Sequence, residues 1–213
     1  MLAHFVSSTR LNLETASEVD SGGALMIMPF TRGAMAQSCA RQLARRANVR
    51  GTILCVHDDE REGFVAVMNR AFRLTRPRWV GYVAQDAFAG RDWLRLALLR
   101  MQTSRGCLLG FNDGKWMGEL AGFGLVDRRW AEKNYAGDLF HPGYSQHFAD
   151  TELSLLARQA GCYVYEPNSV LVEIDADKDE KPVNAADRAL FLARRREGFD
   201  GRVRDEALLG RFS

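Results

Sequence analysis

The chain lacks any apolar run approaching the roughly 18 residues that cross a bilayer, so no transmembrane helix is expected. It also lacks the basic start and apolar core of a secretory leader, since its first residues read Met1-Leu2-Ala3-His4-Phe5-Val6. A soluble, cytoplasmic protein follows as the expectation, with membrane contact peripheral if there is any. Charge of one sign is scarce. Twenty-nine Lys and Arg stand against 27 Asp and Glu, a net +2, which gives no pull toward nucleic acid. Cysteines are few and scattered: Cys39, Cys55, Cys107 and Cys162 form no C-x-x-C pair, so neither a zinc site nor a redox motif is suggested. Cys55 and Cys162 fall in apolar strand-like runs and read as small core residues, a usage that fits a reducing compartment. There is no internal repeat and no low-complexity tract.

What is present describes a globular domain. The chain of 213 residues is 46% hydrophobic, long enough for one sizeable core and marginal for two. Apolar runs at Ala24–Met28, Thr52–Val56 and Trp79–Ala84 read as buried strands. Between and after them come helical patterns over Ala34–Ala47, Gly63–Leu74 and the residues from Asp92 through Leu99. Strand and helix alternate three times, which argues for a sheet with parallel strands and helices on both faces. The second half is less regular. It offers strand patterns near Gly106–Phe111, Trp116–Val126, Cys162–Tyr165 and Ser169–Ile174. Helices are expected at Asp127–Tyr135, His147–Ala160 and Asn184–Arg196, and a charged loop at Asp175–Pro182. The simplest division is an amino-terminal arm (1–23), an α/β domain (24–175) and a helical extension of that domain (176–213).

Polar residues that packing does not explain fall just after strands: Thr31 and Arg32, Asp58 and Asp59, and Asp86. Such loops line up along one edge of an open α/β sheet, where ligands bind. Asp150 and Glu152 open an apolar helix and read equally as first-turn acids that favour its amino terminus. The Arg194-Arg195-Arg196 run reads as a solvated helix end.

Several stretches in order resemble the family 2 glycosyltransferases, which have the GT-A fold and use nucleotide-sugar donors. Met28-Pro29-Phe30-Thr31-Arg32 is similar to the end of that family's first strand, and His57-Asp58-Asp59 to the acidic end of its second. Asn69-Arg70 resembles its A-R-N helix. Gln85-Asp86, with Trp93-Leu94 beyond, resembles its D-x-D segment. Further on, Gly122 to Trp130 resembles its glycine strand and basic turn. Asp150-Thr151-Glu152-Leu153 followed by Arg158 and Gly161 is similar to its E-D-x-D-L and R-x-x-x-G helix, and Tyr165 to Val170 to its proline-bearing strand. The likeness runs from about Ala24 to Asp175. Two places depart from it. Ala84 stands where the first acid of the D-x-D would fall, and no histidine follows the last strand, where Glu173 or Asp175 would have to serve as oxygen ligands.

The resemblance implies a GT-A type, Rossmann-like, mostly parallel sheet and an inverting hexosyl transfer from a nucleotide-diphosphate sugar to the hydroxyl of a glycan, lipid-linked or other acceptor. Asp150 is then the general base with Glu152 beside it. Asp86 is the metal acid for Mn²⁺ or Mg²⁺. Pro29, Thr31, Arg32, Asp58, Asp59, Asn69 and Gln85 form the nucleotide site, and Trp116, Trp130 and His147 contact the acceptor. Two alternatives stand beside it. One is a degenerate, non-catalytic binding domain on the same fold. The other is a nucleotidyltransferase, for which Pro29-Phe30-Thr31-Arg32-Gly33 supplies only one glycine and one arginine.

Overall fold

The structure, a computed structural model, describes residues 1–17, 19, 22–174 and 183–212. The expected charged loop at 175–182, including Asp175, lies outside the described residues. Eight strands form one sheet: β1 (Leu2–Ser7), β2 (Ala24–Phe30), β3 (Gly51–His57), β4 (Trp79–Tyr82), β5 (Ala87–Ala89), β6 (Leu108–Asn112), β7 (Gly124–Asp127) and β8 (Tyr163–Glu173). Their spatial order is β1-β3-β2-β4-β7-β6-β8-β5. The pairings β1–β3, β3–β2, β2–β4 and β6–β8 are parallel, and β7 and β5 run antiparallel to their neighbours. The expected α/β sheet is therefore present, but it is mixed rather than mostly parallel, since four of its seven pairings are parallel and three antiparallel. The first seven residues are more than an arm, because residues 2–7 pair with β3 in unbroken register and form the sheet's outer strand.

Both faces of the sheet are covered. Alternate residues of β2 supply the two cores: Leu25 and Ile27 face one, Met26 and Met28 the other. Helices α2 (Gly33–Arg46) and α4 (Trp93–Thr103) close the second face with Leu43, Trp93 and Leu94. Helices α3 (Phe64–Leu74), α6 (Ala149–Gln159) and α7 (Ala185–Arg196) close the first with Val67, Phe72, Leu153 and Phe191. Strands buried on both sides read as continuous apolar runs rather than alternating ones, which is why β2, β3 and β4 were visible in the sequence. The short helices α1 (Leu13–Ser17), α5 (Arg128–Ala131), α8 (Gly198–Gly201) and α9 (Glu206–Leu209) complete the chain.

Two regions depart from the sequence-based expectation. The run Trp116–Val126 is a strand only over Gly124–Asp127; residues 113–123 form a loop knotted around Asp113, whose Oδ1 accepts from the amides of Lys115 and Trp116. The two strands expected at 162–174 are one, β8, with a register shift opposite Phe111 and Asn112.

Cys107 and Cys162 are joined by a disulfide. This corrects the reading of Cys162 as a solitary core residue and removes the cysteine-based argument for a reducing compartment. The spacing hid the pair: 55 residues separate them in sequence, but β6 and β8 start side by side and the Cys107 amide donates to the Cys162 carbonyl at 2.8 Å. Closing a loop of that length restricts the unfolded chain by about 4 kcal/mol in the chain-entropy account. Thiol titration of the denatured protein is expected to find two free thiols, Cys39 and Cys55, before reduction and four after it. The Cys107→Ser variant is expected to melt at a lower temperature than wild type.

Candidate functional site

Strand order reverses at β2, with β3 on one side and β4 on the other, and a sheet of this kind opens a crevice at the carboxyl ends of the strands there. Pro29 helps to open it. The Ile27 carbonyl accepts from Val83 on the β4 side, and the Phe30 carbonyl accepts from Asp58 on the β3 side. By alternation the Pro29 nitrogen faces β4, where the ladder has ended, so the missing N–H costs no strand bond. The crevice is spanned by Gln85, whose Oε1 accepts from the amides of Thr31 at 3.0 Å and Arg32 at 2.8 Å. Thr31 and Arg32 are exposed at its rim.

Asp86 follows at the entry to β5. Its carbonyl accepts from the amide of Ile174, so the end of β8 is tied to it, and Glu173 pairs in register with Ala87. Beneath the β5–β8 pairing the Cys39 thiol donates to the Ala87 carbonyl at 3.2 Å; burial pushes that thiol up to about 12, so it stays protonated and structural. Among the described residues no group of three or more His, Cys, Asp or Glu side chains is assembled for a metal. Asp86 at the entry to β5 and Glu173 at the end of β8 lie side by side at this edge as carboxylates that a hard cation could use.

Asp58 and Asp59 end β3 but serve different purposes. The Asp58 oxygens accept from the amides of Glu62 at 2.8 Å and Gly63 at 3.0 Å, which fixes the loop into α3. Gly63 has φ +97°, and a side chain there would meet the Ser145 carbonyl at 2.9 Å, so glycine is required. Asp59 accepts from the hydroxyl of Ser7, at the end of β1, and pairs with His57. The Ser7 hydrogen bond, then the nearby His57, hold its carboxyl below the usual range. His57 in turn stacks on Phe30 with ring centroids 5.0 Å apart, and Phe5 meets Phe30 edge-on. These residues wall a shallow hollow of about 380 Å³ with Gly33 at its rim. Sequence reasoning missed it, because the β1 contribution shows only once β1 is seen beside β3.

Helix α6 brings the last carboxylates. Asp150 lies in its first turn, partly exposed, with Oδ1 accepting from the Thr151 amide at 2.8 Å. Its charge reaches Tyr82, the last residue of β4: burial first, and Asp150 second, push that phenol well above its ordinary value. The Tyr82 hydroxyl donates to the Ala121 carbonyl at 2.6 Å, and a side chain at Gly124 would meet it at 2.5 Å. Asp150 is thus near the Tyr82 end of β4, and Asp86 follows that strand end by four residues. His147 sits just before α6, with its Nδ1 accepting from the Asn184 amide at 3.4 Å.

Four expected site residues are placed elsewhere. Pro29 is buried in β2 and shapes the crevice without lining it. Asn69 is 3% exposed, and its side-chain amide spans Phe140, donating to its carbonyl and accepting from its amide at 2.9 Å each. Glu152 is fully buried: Oε1 accepts from Tyr135 and Arg194, Oε2 from Tyr144 and Arg194, at 2.7 to 2.9 Å. Trp130 follows β7, whose register puts Asp127 opposite Trp79 and Gly124 opposite Tyr82, so it lies at the far end of the sheet. Trp116, by contrast, belongs to the loop after β6, at the same edge as Asp86, half-exposed and edge-on to Phe212. Arg194 is buried too, which overturns the view of the arginine run as a solvated helix end.

No protein-family profile matches the chain, and no curated protein sequence matches it. Solved structures do. The chain is similar to the mannosyltransferase PcManGT from Pyrobaculum calidifontis, solved with GDP-Man and Mn²⁺ (TM-score 0.56, 14% identity, 81% of this chain and 60% of that one). It is similar as well to glucosyl-3-phosphoglycerate synthase from Mycobacterium tuberculosis, solved with Mg²⁺ and UDP (TM-score 0.55, 12% identity, 94% of this chain and 87% of that one). The fold is GT-A. The chain spans well under two thirds of the mannosyltransferase's length, and at these identities the likeness concerns architecture. The crevice between β2 and β4 and the β5–β8 pairing beside Asp86 lie at the strand-end edge of this GT-A sheet. No helix among the described residues is long and apolar enough to cross a membrane.

Proposed function

We propose that this chain is a family 2-like glycosyltransferase that moves a hexosyl group from a nucleotide-diphosphate sugar to an acceptor hydroxyl with inversion. The observation that carries the reading is the crevice at the strand-order reversal of a GT-A sheet, spanned by Gln85 between β4 and the loop after β2, with Asp86 next in the chain. The nucleobase lies in the hollow of Phe30, His57 and Phe5, with Asp59 holding His57 in place and Asp58 ordering the loop behind it. The diphosphate meets the Arg32 guanidinium and the Thr31 hydroxyl, with Gln85 holding the backbone amides of that loop. Asp86 would hold Mn²⁺ or Mg²⁺ there, and such an ion offsets charge building on the diphosphate as it leaves.

Asp150 accepts the proton of the acceptor hydroxyl as that oxygen bonds to the sugar's anomeric carbon. The bond from that carbon to the diphosphate oxygen breaks on the opposite face, and its electron pair leaves with the diphosphate. His147 orients the acceptor: with Nδ1 accepting from Asn184, the neutral ring carries its proton on Nε2 and presents a donor. Trp116 offers a ring face to a sugar.

Ala84 favours a second reading, in which the fold binds a nucleotide sugar without turning it over. One experiment tests the site and separates the two. Thermal melts with UDP-, GDP-, dTDP- and CMP-sugars, with and without Mn²⁺, are expected to show stabilisation by one nucleotide class. Ligand at 100 times its Kd adds about 2.7 kcal/mol. The Mn²⁺-dependent part is expected to vanish in Asp86→Ala. No rise with any donor would sink both readings, and a rise without nucleotide release or transfer would favour the second.

A further inference from the structure

We infer that α7 is the positioning element of the acceptor side: through Asp187 and Arg194 it holds residues 145–152, and with them Asp150 and His147. The inference rests on Asp150 being the base, as proposed above.

Two carboxylates tie α7 to this segment from opposite directions. Asp187, in the first turn of α7 and buried, receives three consecutive backbone amides, those of Ser145 (2.8 Å), Gln146 (2.9 Å) and His147 (2.8 Å). Successive N–H groups that converge on one anion form a nest, and these bonds hold the Asp187 carboxyl below its usual range although burial acts against it. Asn184 caps the same helix, accepting from the amides of Ala186 and Asp187, and reaches back to the Ser145 hydroxyl at 3.0 Å and His147 Nδ1 at 3.4 Å. The strand of chain that leads into α6 is thus shaped by α7 and by little of its own sequence.

Arg194, two turns further along α7, holds the segment from beneath. Its guanidinium forks onto both Glu152 oxygens at 2.7 and 2.9 Å, and onto Asp200 at 3.0 and 3.1 Å. Asp200 reaches that position through a tight reversal in which Phe199 and Asp200 both adopt left-handed backbone, φ 53° and 62°. Such conformations persist where surrounding contacts hold them, and the Arg194 bonds are among those contacts. Glu152 and Asp150 belong to one helical turn, so fixing the first fixes where the second projects. Phe148, left-handed at φ 65°, links the two anchored stretches and stacks on Phe191 of α7 at 4.9 Å. The Asp187 and Arg194 bonds run to Ser145, Gln146, His147, Glu152 and Asp200, while Ser145 also accepts from the Val65 amide at the start of α3, so donor KM is read beside kcat.

The test uses the full chain. Asp187→Asn keeps the side chain's size but puts a donor group where amides need an acceptor. It is expected to retain the circular-dichroism spectrum and the nucleotide-dependent rise in melting temperature. Amide exchange is expected to quicken at 145–150 while the strands keep wild-type protection. The kcat is expected to fall by about 10- to 100-fold, the scale of an ångström-sized misplacement, with donor KM within about twofold of wild type. Arg194→Lys keeps the charge without the fork and is expected to retain more kcat than Arg194→Met. Wild-type exchange at 145–150 together with wild-type kcat in folded Asp187→Asn overturns the inference. So does a kcat loss matched by an equal loss of nucleotide stabilisation, which is what general loosening gives. A wild-type protein that neither binds a nucleotide sugar nor turns one over ends the functional reading instead, and the exchange comparison still decides whether α7 fixes this segment.

Discussion

Asp150→Asn is expected to leave the fold and the nucleotide-dependent melting shift intact while lowering kcat by about 10²- to 10⁴-fold, the span that general-base removal covers. The structural contacts of Asp150 survive the change, because an Asn oxygen still accepts from the Thr151 amide. What disappears is the capacity to take a proton. Donor KM is expected to stay near wild type, since the crevice at Gln85 and the hollow at His57 lie on other elements. The neighbouring acid is no substitute: Glu152 is fully buried, with both oxygens engaged. Steady-state kinetics with the donor identified in the melting screen checks the split. Unchanged turnover in a normally folded Asp150→Asn protein would rule the base assignment out.

The largest effect on stability is expected from Glu152→Gln. The carboxylate accepts from two tyrosine hydroxyls and from Arg194 without exposure to water. A glutamine replaces one acceptor oxygen with a donor facing other donors, and it leaves Arg194 with Asp200 as its remaining bonded acid. Breaking a buried pair from one side costs about 3–5 kcal/mol. For a chain of this size, each kcal/mol moves the midpoint by about 2–4 °C, so a drop of roughly 10 °C is expected. The combined variant Glu152→Leu with Arg194→Met, Tyr135→Phe and Tyr144→Phe removes the charges and the hydroxyls that would lose their acceptor, and is expected to recover much of the loss, because apolar replacement of buried pairs is often neutral. A single-variant midpoint equal to wild type would show that the network contributes nothing to stability.

The two predictions concern residues two apart that sequence reasoning had placed in one role. The i, i+2 spacing is itself the reason for the difference. Positions two apart on a helix point in different directions, and here Asp150 is partly exposed while Glu152 is buried in the core. Apolar runs made the central strands legible, and strand-end acids pointed to one edge of the sheet. The purpose of each acid was not legible, because Asp58, Asn69 and Glu152 are consumed by backbone and side chains brought in from elsewhere. Nor did local pattern distinguish Trp116 from Trp130. The antiparallel course of β7 decides that they lie at opposite ends. Arg194 looked solvated in a run of three arginines, and only the fold shows that one of them turns inward.

The outer position of β1 bears on how the molecule assembles. Residues 2–7 come first in the chain, yet β3, the strand they pair with, lies 50 residues further on, from Leu2 opposite Thr52 to Ser7 opposite His57. A growing chain therefore exposes this segment before its template exists. Gathering it requires closure of a long loop, which is entropically slow to nucleate. The centre of the sheet, β2 with β3 and then β4, forms from closer neighbours. Docking of β1 then belongs late in folding, and the Ser7 contact that steadies Asp59 and His57 arrives with it, so one wall of the hollow is completed only after the centre of the sheet has formed.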